Sequence, residues 1–454
     1  MLQARRADAP EGLYEKHINP QWVRLLDVLQ MNVEYVRCEG AELHSADGRL
    51  LLDFISGYCV HNTGHNHPRI VAALKDELDA RGPAMLQSHA SGQAGELARR
   101  LCERAGGRLT RAYFASSGSE AIDSAIKFAR ARTGRPAILY AAGGFHGLTC
   151  SSLSLMSNPF WKERFGPFLP DTEAVAFGDL EQLAEKLASK RFAAFITEPL
   201  QAESGIVAPP REYLRRAQEQ CRKHGTLLAL DEVQTGMYRC GPFLAAHHFG
   251  LDPDLVVLAK AMSGGLVPSA AVLMSQAVSD AVYSSLRHAV IHTSTYSENG
   301  LAMRAGLATL EVLEEERLGE RSARMGQYLR QQLAARLGGF EMVGEIRGLG
   351  LLCGVEFKVP RSLRLRIPFE AFNRIHPAMF GQVLVMRLFR DHRILSQICG
   401  NNFMVLKVAP PLVVEQPQLD HFVSALAQVV ELMHTSASYW TEALGMARRV
   451  INSI

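Results

Sequence analysis

Two kinds of motif are missing from this chain. None of its eight cysteines belongs to a C-x-x-C pair, and no uninterrupted apolar run reaches the roughly 20 residues of a membrane span. The first absence argues against a zinc ribbon or a disulfide-stapled fold and fits a reduced compartment. The second gives no reason to expect membrane insertion. Charge of one sign is scarce as well. The 49 Lys and Arg against 46 Asp and Glu leave a formal charge of +3, too little to point to nucleic acid or an anionic membrane as a partner. There is no internal repeat and no low-complexity tract, which argues against a solenoid. The opening residues, MLQARRADAPEG, lack the apolar stretch of a secretory signal. The expectation is a cytoplasmic enzyme or binding protein that handles small molecules and holds no metal.

What is present is globular material. The chain is 47% hydrophobic and 21% charged, and long enough for a large core and two or three domains. Polar residues 1–20 read as an arm, followed by a helix near Trp22–Gln30. EYVRCEG and AELHSADGRLLLDF read as short strands with a D-G turn between Ala46 and Arg49. From His67 the apolar spacing turns helical, in IVAALKDELDA and ELARRLCERA. Helices then alternate with the apolar runs RAYFA, AILYA, FAAFITE, TLLALDE, DLVVLAK and AAVLM. That alternation predicts an α/β fold with a mostly parallel sheet covered on both faces. A long helical stretch spans Ala302–Leu337. LLCGVEF, the apolar segment around Val383–Ile394 and VLKVAP predict a smaller α+β unit. The expected division is 1–66 for the arm and part of the small domain, 67–337 for the large domain, and 338–454 for the C-terminal small domain.

In open α/β sheets the ligand crevice lies beyond the carboxyl ends of the strands, so the residues that follow each apolar run matter most. RAYFA is followed by Ser116-Ser117-Gly118-Ser119-Glu120 at a helix start. Backbone N–H groups and the helix dipole there can hold a phosphate. Ser117 and Glu120 equally fit a capping box that needs no ligand. FAAFIT runs into Glu198-Pro199 and TLLAL into Asp231-Glu232; such acids are either site residues or helix caps and solvated turns. Lys260 follows DLVVLA and has an alanine on each side. A lysine there either snorkels to solvent or is desolvated, which lowers its pKa and suits Schiff-base chemistry. A phosphate cradle, an acid that keeps a ring nitrogen protonated and a Schiff-base lysine are together what pyridoxal phosphate requires of a protein.

Nine stretches carry a resemblance as a set: DFISGYCVHNTGHNHP, SSGSEAIDSAIKFAR, FHG, TEPLQAESG, LDEVQTGMYRCG, LAKAMSGGLVP, HTSTYSENG, IRGLGLLCGVEF and LKVAPPLVV. From about Val33 to about Val430 the chain resembles the class III (ω-) aminotransferases of the fold-type I pyridoxal-phosphate superfamily. The resemblance implies a large domain around a mostly parallel sheet and a small α+β domain built from N- and C-terminal segments. It implies pyridoxal 5'-phosphate as cofactor, with Lys260 forming the internal aldimine and then acting as base and acid in the proton shift. Asp231 would pair with the pyridine nitrogen, Val233 and Phe145 would cover the two ring faces, and Gln234 would lie near the ring hydroxyl. Ser117, Gly118 and Ser119 would hold the phosphate. Glu198 and His146 complete the expected cofactor-binding set, His146 through the FHG loop. Thr295 would reach the phosphate of the neighbouring subunit, making the active unit a homodimer with shared sites. The substrates implied are small amines and carbonyl compounds, transaminated at a terminal carbon.

Three departures from the family pattern bear on this. HTSTYSENG puts Glu298 where the family has glycine, close to the expected phosphate, unless that glutamate faces away or caps the next helix. Where glutamate-using members carry an arginine, this chain has Lys407, and its motif partner is Glu203. Lysine lacks the bidentate fork for a carboxylate. Tyr58, in the FISGYCV segment, is expected at the substrate entrance. Residues 359–382 read as an insertion that either shapes access or packs on the small domain. Other reactions on the same scaffold (aminomutase, decarboxylase, phospho-lyase) remain alternatives, as does a catalytically silent binding protein.

Overall fold

The computed structural model describes residues 10–86, 88–375 and 379–451; the first nine residues of the expected arm, and 376–378 within the stretch 359–382, lie outside them. The rest of the arm forms helix Pro10–His17, and the helix expected near Trp22–Gln30 is Pro20–Val28, capped by Asn19. Strands β1 (Tyr35–Glu39), β2 (Glu42–Ser45) and β3 (Leu50–Asp53) follow as an antiparallel meander. The D-G turn lies where the sequence puts it: Gly48 has φ +82°, and Ser45 N donates to Arg49 O at 3.0 Å.

The central sheet has seven strands: β4 (Leu109–Ala115), β5 (Ala137–Ala141), β6 (Thr172–Val175), β7 (Phe192–Thr197), β8 (Leu227–Asp231), β9 (Leu255–Leu258) and β10 (Ala270–Ser275). Their order is β4-β10-β9-β8-β7-β5-β6. Pairing is parallel from β9 to β6, and β10 runs antiparallel to both its neighbours. This is the mostly parallel α/β sheet that the alternation predicts. β5, β7, β9 and β10 are buried along their whole length, which is why they read as unbroken apolar runs. β6 was not anticipated. It lies at the sheet edge and buries only Val175, so it carries almost no apolar signal.

The stretch Ala302–Leu337 is two helices, Gly300–Glu315 and Leu318–Leu337, broken where Arg317 turns left-handed at φ +51°. The C-terminal strands are β11 (Val343–Leu349), β12 (Leu352–Phe357), β13 (Ile394–Leu395), β14 (Gln397–Cys399) and β15 (Asn402–Val408). Four of them form the antiparallel sheet β11-β12-β15-β14. β13 instead pairs in parallel with β3, Ile394 opposite Leu52, so N- and C-terminal segments share one sheet. Most of Val383–Ile394 is helix, within Phe380–His392. Residues 363–375 form another helix, whose Phe369 meets Trp440 of the helix Ala437–Ile451 edge-on at 6.4 Å. That part of the stretch 359–382 is an excursion packed on the C-terminal helix. Among the described residues no helix is long and apolar enough to cross a membrane, and no group of three or more His, Cys, Asp or Glu could hold a metal.

Candidate active site

The carboxyl ends of β4, β7, β8 and β9 converge on one cleft of about 570 Å³. Ser117, Gly118, Ser119, Phe145, His146, Glu198, Asp231, Val233, Gln234 and Lys260 all line it. A second chamber of about 360 Å³ opens beside it, lined by Tyr58 and Glu203 and sharing Phe145, Gln234 and Lys260 with the cleft. Lys407 is buried behind this chamber and bonded to Glu203. Thr295 lines neither space; it sits on an exposed loop before Gly300–Glu315.

One end of the cleft is the N-terminus of helix Gly118–Thr133. Ser117 caps it, its Oγ accepting from Glu120 N at 3.2 Å, while Glu120 Oε2 accepts from Ser116 N at 2.8 Å. The capping reading and the phosphate reading are therefore compatible, because the cap takes the Glu120 N–H and leaves Gly118 and Ser119 lining the cleft at the positive helix end. Gly118 keeps this end open: a Cβ there would stand 3.2 Å from Val233 Cγ2 and 3.5 Å from Ala259 Cβ. Gly147 in the FHG loop has φ +113°, and a Cβ on it would collide with Ser119 Oγ. The next helix is capped by Asn299, which accepts from Ala302 N at 2.8 Å; Glu298 is exposed.

The two acids after β8 have different fates. Asp231 faces the cleft, Oδ1 accepting from Val233 N at 3.0 Å and Oδ2 lying 2.8 Å from His146 Nδ1. Glu232 takes the N–H groups of Ala245 at 3.0 Å and Ala246 at 2.7 Å, and burial lifts its pKa to about 7. It serves the fold. His146 is fully buried. Burial opposes its charged form, but the Asp231 hydrogen bond and the charges of Asp231 and Glu198 outweigh that and raise its pKa. Glu198 is raised, above all by burial. Both its oxygens accept backbone N–H groups, Phe145 N and Ala202 N at 3.0 Å each, so it fixes the loop that carries Phe145 and His146.

Lys260 opens a short turn after β9 with φ +50°. A left-handed lysine is uncommon and costs on the order of 1 kcal/mol. Burial pushes its pKa down, and the nearby charge of Lys407 adds to this. Beside it Glu203, Gln234 and Lys407 form a closed network. Lys407 Nζ bonds Glu203 Oε1 and donates to Gln234 Oε1 at 3.0 Å, while Gln234 Nε2 donates to Glu203 Oε1 at 3.1 Å. Glu203 Oε2 accepts from Gly400 N at 2.8 Å. The Lys407 ammonium also stands 5.4 Å from the centre of the Tyr58 ring.

Residues 26–430 match the family described as aminotransferase class-III. The chain belongs to the class-III aminotransferases. It is 34% identical to aminotransferase PigE of Serratia sp. over 93% of its own length and 53% of that protein's, so it spans about half of this relative. It is 32% identical to putrescine aminotransferase of Pectobacterium atrosepticum, over 89% of its own length and 85% of the relative's. Among solved structures, ornithine aminotransferase from Toxoplasma gondii ME49 superposes with a TM-score of 0.80 at 28% identity, over 94% of this chain and 99% of that one. An amine transaminase from an uncultivated Pseudomonas species, in its pyridoxal-phosphate-bound form, gives 0.78 at 30% identity, over 87% and 94%. Pyridoxal 5'-phosphate is the cofactor of a class-III aminotransferase, and the cleft fits it. A helix N-terminus kept open by Gly118, a buried carboxylate and a desolvated lysine line one space of suitable size.

Sequence reasoning missed the aromatic side of the adjoining chamber. Trp161, Phe160 and Phe403 line it, with Ile398 and Gly400 from β14 and the turn after it. Trp161 lies in a four-residue helix, Pro159–Lys162, with no periodicity to read, and its partner Asn401 lies 240 positions away.

Proposed function

We propose that this class-III aminotransferase moves an amino group between an amine or amino-acid donor and a carbonyl acceptor at a terminal carbon, in two half-reactions at one site. The observation that carries this is the meeting of Lys260, Asp231 and the N-terminus of Gly118–Thr133 in one cleft. Bound pyridoxal phosphate supplies the electron sink that stabilises a carbanion next to the transferred nitrogen. Lys260, its pKa lowered by burial, presents a neutral amine at lower pH than a free lysine, and so serves as nucleophile and then carries the moving proton at Nζ. Asp231, held by Val233 N–H and His146, would pair with the cofactor's ring nitrogen and keep it protonated. Ser117, Gly118 and Ser119 hold the phosphate through the helix N-terminus. Val233 and Phe145 would cover the two ring faces, and Gln234 would lie near the ring hydroxyl. Glu198 and His146 position these groups. Thr295 completes the phosphate site of a second copy, in a homodimer with shared sites. In the same reading, residues 67–337 are the cofactor-binding domain, and 1–66 with 338–454 form the small domain that supplies Tyr58 and Lys407 to the substrate side.

An amino donor given alone tests the reaction type. The visible band of the loaded protein is expected to convert to the pyridoxamine form and to return when a carbonyl acceptor is added. Release of carbon dioxide, or turnover with no change of band, overturns the reading.

A further inference from the structure

We propose that the chamber beside Lys260 takes substrates with an apolar body and no second charged group: monoamines carrying an alkyl or aryl chain, and the matching aldehydes or ketones. This rests on the aminotransferase reading and adds the substrate class to it.

Two observations carry it. The first is the wall. Trp161, Phe160, Phe145, Ile398 and Phe403 surround the space, with Tyr58 across from them. The volume of about 360 Å³ holds a chain of roughly twelve heavy atoms at about 30 Å³ each. Within this wall Trp161 is held in place by hydrogen bonds. Trp161 Nε1 donates to Asn401 Oδ1 at 2.8 Å, and the same oxygen accepts from Asn158 Nδ2 at 3.0 Å. Asn401 Nδ2 in turn donates to Gly143 O at 3.0 Å. Asn401 is thus a positioning residue, tying the Trp161 segment to the turn between β14 and β15. So held, the indole stands edge-on to Phe145, ring centres 5.5 Å apart.

The second observation is that the charges bordering the chamber already satisfy one another. Lys407 is fully buried and paired with Glu203, Gln234 bridges both, and the remaining Glu203 oxygen is taken by Gly400 N–H. A substrate carboxylate has to break that network to reach the cation. A distal ammonium has to break it to reach Glu203, the one carboxylate lining the chamber among the described residues. Among the described residues a buried polar atom of the lining left without a partner is Gln382 Oε1. As a neutral amide oxygen it can accept hydrogen bonds but neutralises no charge.

The test uses cofactor-loaded enzyme in single turnover with butylamine, hexylamine, octylamine, putrescine or glutamate as sole donor. The half-reaction specificity constant is expected to rise about fourfold per added methylene until the chamber fills. Butylamine is expected to outrun putrescine, which differs only in its second amino group. Trp161→Ala and Asn401→Ala are each expected to lower the octylamine-to-butylamine ratio at least tenfold. Binding gives a separate readout: octylamine is expected to shift the tryptophan emission of wild type, but not of Trp161→Phe, in which Trp22 and Trp440 remain. If Trp161→Ala does not fold, the wild-type series and Asn401→Ala decide. A flat or falling series, or putrescine or glutamate ahead of butylamine, overturns this proposal and leaves the aminotransferase reading standing. Failure of every donor to convert the cofactor overturns that reading, and this proposal with it.

Discussion

Replacing Lys407 with methionine removes a charge while keeping most of the side chain's volume. Lys407 is 0% exposed and Glu203 7%, so the variant leaves a buried carboxylate supported only by Gly400 N–H and the Gln234 amide. Breaking one side of a buried ion pair costs about 3–5 kcal/mol. An unfolding entropy of about 2 cal/mol/K per residue gives 454 residues about 1 kcal/mol/K. The thermal midpoint is therefore expected to fall by about 3–5 °C at pH 7 with cofactor held constant. The double variant Lys407→Met/Glu203→Gln has no charge left to bury and should recover most of the loss. The pH dependence has a definite sign. Burial raises the Glu203 pKa, but the charge and hydrogen bond of Lys407, with Gly400 N–H, outweigh it and hold it low. That contribution is present above the ordinary value of about 4.3 and is lost as pH falls through the depressed value. Burial lowers the Lys407 pKa, but Glu203 outweighs it and raises it. That contribution is complete below about 10.4 and is lost as pH rises through the raised value. The gap between wild type and Lys407→Met is thus widest between these limits and narrows in acid. Scanning calorimetry from pH 3 to 8 measures it. A double variant as labile as the single, or a gap that widens in acid, refutes the charge argument.

Four further substitutions test the site. Lys260→Ala should keep the fold and lose both the visible band and turnover, read by absorbance beside circular dichroism. Asp231→Asn should retain cofactor and slow donor proton loss by at least about 10²–10⁴-fold in stopped flow; wild-type rates would remove Asp231 from the mechanism. Gly118→Ala places a methyl 3.2 Å from Val233 Cγ2. Overpacking of about 1–2 kcal/mol there weakens cofactor binding about tenfold, as equilibrium titration would register. Lys407→Arg restores a planar fork and should raise the glutamate-to-butylamine rate ratio several-fold; an unchanged ratio makes this position structural.

The sheet was legible because β5, β7, β9 and β10 are buried on both faces and leave continuous apolar runs in the sequence. Lys260 and Asp231 stood out as candidates because each comes at the end of an apolar strand, β9 and β8. Glu232 was not separable from Asp231 by composition. The backbone turns one toward the cleft and the other onto Ala245 and Ala246 N–H. The break at Arg317 carries neither glycine nor proline to announce it, and β6 buries too little to show a pattern. Contacts between distant segments were the least readable. Trp161 meets Asn401 across 240 positions, and no local propensity records that. Glu203 and Lys407 are 204 positions apart, and it was the resemblance to a known family that paired them.

Borohydride reduction of the cofactor-loaded wild type, followed by peptide mapping, tests the central claim most directly. The account predicts the reduced pyridoxyl label on the peptide containing Lys260, with none on that peptide in Lys260→Ala. Label on any other lysine, or no label on a protein that still transfers amino groups, contradicts it.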